Sequence, residues 1–202
     1  VAAAADVEYV KVERTFGLNG GQTTERLILA RALMGKVFGE EEVKVVDSFK
    51  GKKLKGVKYH PLFTFMPPEK PAHYVLLGNF VTTADGTGLV HMAPAFGAED
   101  MQAAMEFDLP IIMTVAPDGA FLPEIRPWSG IFVKDADPLI IQDLDQRGLL
   151  FKSAEITHTY PFCWRCKTPL LYYARQTWYI RTSQFKDRMV ELNDQINWVP
   201  DH

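Results

Sequence analysis

His91 and Asp100 are the two residues of this chain best suited to act together chemically. They lie nine positions apart in Gly86-Thr87-Gly88-Leu89-Val90-His91-Met92-Ala93-Pro94-Ala95-Phe96-Gly97-Ala98-Glu99-Asp100. The imidazole ends a short apolar strand, and the carboxylate falls in the first turn of a predicted helix. Both are delivered to one strand-to-helix corner, where the first backbone N–H groups of the helix lack intrahelical partners. Gly86 and Gly88 let the backbone approach a ligand, His91 polarises a pocket wall, and an ionised Asp100 holds an ammonium group. Each residue also has a plainer use. A strand histidine can be a hydrogen-bonded packing residue, the glycines can serve only the turn, and an aspartate at a helix start contributes ~0.3–1 kcal/mol. No serine or cysteine nucleophile stands beside His91 in sequence, so hydrolysis here would use water directly.

A second constellation is Cys163-Trp164-Arg165-Cys166, which holds both cysteines of the chain. Two thiolates at this spacing chelate zinc, but a structural site needs four ligands. The expectation is a half-site at Cys163 and Cys166 completed from outside these residues. His158 is a candidate third ligand, and two ordinary cysteines remain an alternative. A thioredoxin-like role lacks its βαβ context. Around this pair Arg165, Lys167, Arg175, Arg181, Lys186 and Arg188 interleave with aromatics, a pattern suited to stacking and phosphate contact with single-stranded RNA. Lys44, Lys50, Lys52, Lys53, Lys55 and Lys58 form another cluster, read first as a solvated face.

The elements that must position these groups follow from periodicity. Val7 to Glu13 alternates as a strand, and Gly17 to Gly21 is a loop. Thr24 to Phe38 reads as a helix, with Leu27, Ala30, Leu33 or Met34, and Val37 on one face and Gly39 as its stop. Val43 to Phe49 and His73 to Val81 are strands, and Gly51 to Lys58 is turn-like. Pro67 to Pro71 breaks regular structure. Glu99 to Phe107 is a helix. Ile111 to Val115 is a strand entering the turn Pro117-Asp118-Gly119. Asp137-Pro138 opens a helix that Gly148 closes, and Phe185 to Leu192 is a last helix. The texture changes near Ile156, dividing the chain into a core (1–156) and an aromatic, basic segment (157–202).

Composition sets the frame. With 47% hydrophobic and 23% charged residues, the chain reads as an ordinary globular sequence. A net charge of −3 leaves nucleic-acid binding to local patches. No apolar run reaches the ~18 residues of a membrane span, so no membrane partner is expected. Val1-Ala2-Ala3-Ala4-Ala5-Asp6 has no basic leader and reads as the edge of a longer protein. The cysteine usage favours a reducing cytoplasm. Composition and strand count give a mixed α/β fold, antiparallel-strand-rich.

The run from Gly86 to Pro94, with Gly97 and Asp100 behind it, resembles the editing-site motif of class I aminoacyl-tRNA synthetases for branched aliphatic amino acids. Tyr160-Pro161-Phe162-Cys163-Trp164-Arg165-Cys166-Lys167-Thr168-Pro169-Leu170, Trp178-Tyr179-Ile180 and Ile196-Asn197-Trp198-Val199-Pro200 are similar to the return segment of the isoleucyl-tRNA synthetase family, which leads from the inserted editing domain (CP1) toward the catalytic domain. The valyl enzymes share the first motif but not the Lys-Thr-Pro-Leu continuation; an editing domain of that kind is the nearest alternative. The resemblance implies a distorted β-barrel core with peripheral helices, of the editing-domain type shared by valyl, isoleucyl and leucyl enzymes. It implies post-transfer editing, the hydrolysis of valine wrongly esterified to tRNA(Ile). It assigns Asp100 to the substrate ammonium and His91 to exclusion of the larger side chain and positioning of the ester, both catalytic. Gly86, Gly88, Met92, Ala93 and Pro94 complete the substrate site, with Arg165, Lys167, Arg175 and Arg181 on tRNA. The implied partners are the tRNA(Ile) acceptor end and the remainder of a parent synthetase. No cofactor is implied for editing, and zinc is possible only at Cys163 and Cys166. The family's threonine-rich wall peptide is expected just before Val1, and its ATP-site signatures are absent from these residues. Two other readings remain: a tRNA-docking module without hydrolysis, and a zinc-binding RNA module in which His91 is structural.

Overall fold

A computed structural model describes residues 1–18, 21–155, 157 and 159–199. The expected boundary at Ile156, the candidate ligand His158 and Pro200 of the return motif lie outside the described residues. Ten regular elements organise the chain: β1 (Ala2–Ala3), β2 (Glu8–Leu18), β3 (Gly21–Ala30), α1 (Met34–Phe38), β4 (Lys44–Lys50), β5 (Leu76–Leu77), β6 (Leu89–Val90), α2 (Ala98–Glu106), α3 (Val133–Gln146) and α4 (Lys186–Asn193).

The strands form two three-stranded sheets. One has the order β3-β2-β4 and is wholly antiparallel. The other has the order β5-β1-β6, with β1 parallel to β5 and antiparallel to β6. The fold is therefore mixed α/β with antiparallel pairing dominant, as expected. The described strands do not close into a barrel.

Both faces of the first sheet are covered. Tyr9 packs with Ala3, Ala30, Leu33 and Leu54 on one side, while Val10 and Val12 pack with Leu29 and Phe38 on the other. Consecutive residues Tyr9 and Val10 are thus both fully buried. The Tyr9 hydroxyl joins the two sheets: it accepts the N–H of Ala4 at 3.0 Å and donates to the carbonyl of Gly88 at 2.6 Å.

The helix expected over 24–38 is a correction. Gly21–Ala30 is a strand, paired with β2 from Leu18↔Gly21 to Tyr9↔Ala30. Cross-strand ion pairs Arg14–Glu25 and Arg26–Glu13 and the Thr15–Thr24 hydroxyl pair favour this register. The helical spacing survives only in α1 and the 3-10 turn Arg31–Leu33. Gly17 and Leu18 also belong to β2 rather than to a loop. The strand expected over 73–81 is regular only at β5, and that over 111–115 is one bridge, Val115↔Phe121.

The last correction concerns α3. It begins at Val133 and carries Pro138 inside it rather than at its start. Packing moves the boundary, because Ala136 is fully buried against Ile125 and Trp128, two residues ahead of the proline. Gly148 follows its end, as expected. None of the described residues beyond 157 is fully buried, those of α4 included.

Candidate functional site

β6 carries His91 to the site. Its register with β1 pairs Ala2 with Val90, so Val1 and His91 stand one step further on. The chain then turns: the N–H groups of Phe96 and Gly97 donate to the Ala93 carbonyl at 2.8 and 3.0 Å. Gly97 caps α2, and Asp100 lies in its first turn. The Asp100 side chain reaches back past the cap and accepts the N–H of Ala93 at 2.9 Å. A Cβ on Gly97 would lie 2.5 Å from Asp100 Oδ2, so the absence of a side chain at 97 makes room for this carboxylate.

The corner borders a cavity of about 740 Å³, within the range of small-molecule sites. His91 through Phe96 form one wall. Much of the remaining lining is aromatic and aliphatic: Phe63 and Phe65 meet Trp128 edge-on at 5.2 and 5.7 Å, and Ile140 of α3 joins them. Asp100 does not line the chamber; it stands behind the corner, half-buried. Gly86 and Gly88 are also outside it. Gly88 serves packing: its φ is +74°, and a Cβ there would lie 2.5 Å from that of Ala30.

Electrostatics link His91 at the lip to Asp100 behind it. His91 is an exposed residue that nevertheless lines the cavity. Burial lowers its pKa below the ordinary value, and the Asp100 carboxylate opposes that shift. The imidazole is therefore neutral near pH 7. The field of Asp100 thus favours positive charge beside His91.

No protein-family model matches the chain. Whole-sequence similarity is decisive instead. The isoleucine–tRNA ligase of Clostridium acetobutylicum is 48% identical over 202 residues, covering 100% of this chain and 19% of the ligase. That of Streptomyces coelicolor is 43% identical over 201 residues, covering 100% and 18% respectively. That of Pyrococcus horikoshii is 43% identical over 212 residues, covering 100% and 19%. This chain belongs to the isoleucine–tRNA ligase family. It spans about one fifth of the length of these ligases.

The remaining candidates of this ligase-family segment are placed as follows. Cys163 and Cys166 are free thiols in a tight turn, where Lys167 N–H donates to the Cys163 carbonyl at 2.9 Å. The Thr168 hydroxyl lies 3.1 Å from Cys166 Sγ. Its hydrogen bonds, with a further one from Cys163, lower the Cys166 thiol to about 7. That is suitable chemistry for a metal ligand, but no group of three His, Cys, Asp or Glu suited to a metal forms among the described residues. The donor set fits half a zinc site. Arg165 lies over the Trp164 ring at 4.7 Å. Arg175, Lys167 and Arg181 are exposed. Arg175 adjoins the site corner, because the preceding Ala174 N–H donates to the Ala95 carbonyl at 2.8 Å. Tyr173 also packs edge-on against Phe96. No described helix is long and apolar enough to cross a membrane.

Sequence reasoning missed Tyr9, the aromatic chamber and the role of Gly97. Tyr9 meets Gly88 across 79 positions, and no local pattern announces such a contact.

Proposed function

We propose that this segment hydrolyses valine esterified to tRNA(Ile), an editing activity within an isoleucine–tRNA ligase. One observation carries the reading: a carboxylate held in place by Ala93 N–H stands behind a neutral imidazole at the mouth of an apolar cavity. In this reading Asp100 attracts the substrate α-ammonium at the lip, and the neutral His91 leaves that charge uncompensated. His91, Met92, Ala93 and Pro94 form the wall against the side chain and ester. Water adds to the ester carbonyl carbon, the carbon–oxygen bond to the ribose breaks, and the ribose oxygen takes a proton. Free valine and deacylated tRNA leave. No strong base stands beside the ester, so substrate and backbone groups orient the water.

The need for such a step is physical. One methylene is worth only about 1–3 kcal/mol in an apolar pocket, a figure for which isoleucyl enzymes are themselves the standard example. The chamber is too large to reject isoleucine by volume. Selection therefore falls to the His91–Pro94 wall, by local crowding.

Arg165, Lys167, Arg175 and Arg181 are proposed to hold the tRNA, with Trp164 and Trp178 as stacking faces. A half zinc site at Cys163 and Cys166 is proposed as a joint to the rest of the parent ligase, which would supply the missing ligands in a reducing cytoplasm. The editing-domain fold type is part of the same reading.

The test uses preformed Val-tRNA(Ile) and Ile-tRNA(Ile) with the ligase carrying this segment. Val-tRNA(Ile) is deacylated and Ile-tRNA(Ile) is spared; His91→Ala brings cleavage of the isoleucyl ester. Equal rates for the two esters in the unaltered protein exclude the reading.

A further inference from the structure

A second, smaller cavity of about 410 Å³ adjoins the chamber. It is built by a short antiparallel ladder. Tyr59 N–H donates to the His73 carbonyl at 3.0 Å, Val75 N–H to Val57 at 2.8 Å and Gly56 N–H to Val75 at 2.8 Å. This ladder sets Lys58 opposite Tyr74. The proline-rich stretch closes the other side with Pro68 and Pro71. Tyr59, His60, Ala72, His73 and Tyr74 line both cavities, so one wall separates them.

The charges of this cavity are one-sided. Its lining contains two lysines and two histidines and no carboxylate. Lys70 is already paired with Asp108 at 2.5 Å. Lys58 is exposed on the same rim and has no acidic partner among the described residues. One free cation, imidazole donors and flat apolar walls are the combination that a nucleotide needs: a charge-assisted contact for its phosphodiester and a surface for its base or sugar.

We propose that this cavity is a nucleotide subsite. It takes the residue that precedes the ester-bearing nucleoside, with Lys58 on the linking phosphodiester and the Pro68–Tyr74 walls against sugar and base. The proposal rests on the reading that the larger chamber receives the aminoacyl end. The shared wall is what makes the two compatible: a strand whose last nucleoside sits in the chamber has its next linkage at the Lys58 rim. A lysine on an open surface does not offer that geometry; Lys50, for example, is occupied by the Asp6 carbonyl at 2.8 Å.

The experiment compares binding of adenosine and of the dinucleotide CpA to the chain, by NMR titration. CpA binds about tenfold more tightly than adenosine, the scale of one charge-assisted contact. Lys58→Glu and Lys58→Gln remove that gain and Lys58→Arg keeps it. Lys44→Glu, an equal charge change on β4 away from both cavities, leaves it intact, and rising salt weakens it. If adenosine binds but CpA gains nothing, or if the gain survives Lys58→Glu, the subsite is refuted and the reading of the chamber stands. If adenosine itself does not bind, the reading of the chamber fails and the subsite falls with it.

Discussion

Asp100 Oδ2 accepts the backbone N–H of Ala93 at 2.9 Å, two residues beyond His91 and across the corner that His91 opens. One side chain therefore both closes the turn and charges the cavity mouth. The two roles separate by substitution. Asp100→Asn keeps a carbonyl acceptor for Ala93, so stability changes little. Asp100→Ala leaves that half-buried N–H without its partner and costs about 1–3 kcal/mol. Urea unfolding of the two variants measures the difference; equal losses would show that the bond contributes nothing.

Gly97 offers an indirect route to the same carboxylate. Its φ of −131° strains no residue, yet a Cβ would lie 2.5 Å from Asp100 Oδ2. The cheap response is rotation of Asp100 away from Ala93. Gly97→Ala should therefore reproduce the loss of Asp100→Ala, and the double variant should be no worse than either, which a double-mutant cycle reads directly.

Tyr9 and Gly88 carry the joint between the sheets. Tyr9→Phe removes the acceptor of Ala4 N–H and the donor to Gly88 and should cost about 1–3 kcal/mol. Gly88→Ala combines a positive φ with the close approach of Ala30 and should cost at least about 1–3 kcal/mol. Thermal melts check both, and an unchanged midpoint in either counts against this joint.

The elements that the sequence revealed are those whose pattern is local. The alternation of β2, the first turn of α2 and the span of α4 follow from neighbouring residues. The run 24–38 misleads because Leu27, Ala30 and Val37 fit a helical face while Thr23, Thr24 and Ile28 also fit a strand. The deciding partners, Glu13 and Arg14, lie on β2. The His91–Asp100 corner is legible in the same local way. Its chamber is not: Phe63, Phe65, Trp128 and Ile140 come together only through tertiary packing.

Acid should weaken the fold through His91. Its folded pKa lies below the ordinary 6.5, so below that pH the unfolded chain binds more protons than the native one. Stability is retained above 6.5 and declines as pH falls toward the folded value. Solvent reaches the residue, which keeps the effect small. His91→Gln should flatten the difference between urea midpoints at about pH 7.5 and about pH 5.5. A steeper difference in the variant would reverse the assigned direction.

Cys166 should behave as an activated thiol. Hydrogen bonds from Thr168, and then from Cys163, bring it to about 7. Its alkylation by iodoacetamide should rise through a midpoint at that pH, and Thr168→Val should move the midpoint upward. A midpoint at the ordinary thiol value in the unaltered chain would remove Thr168 from this role.

The most direct measurement of the central claim is the deacylation of preformed Val-tRNA(Ile) and Ile-tRNA(Ile) by the ligase carrying this segment, with and without Asp100→Asn. The valyl ester alone should be cleaved, with a roughly 10- to 100-fold loss of that rate in the variant, the scale of one hydrogen bond to a charged group. An Asp100→Asn protein that clears Val-tRNA(Ile) at the full rate would contradict it.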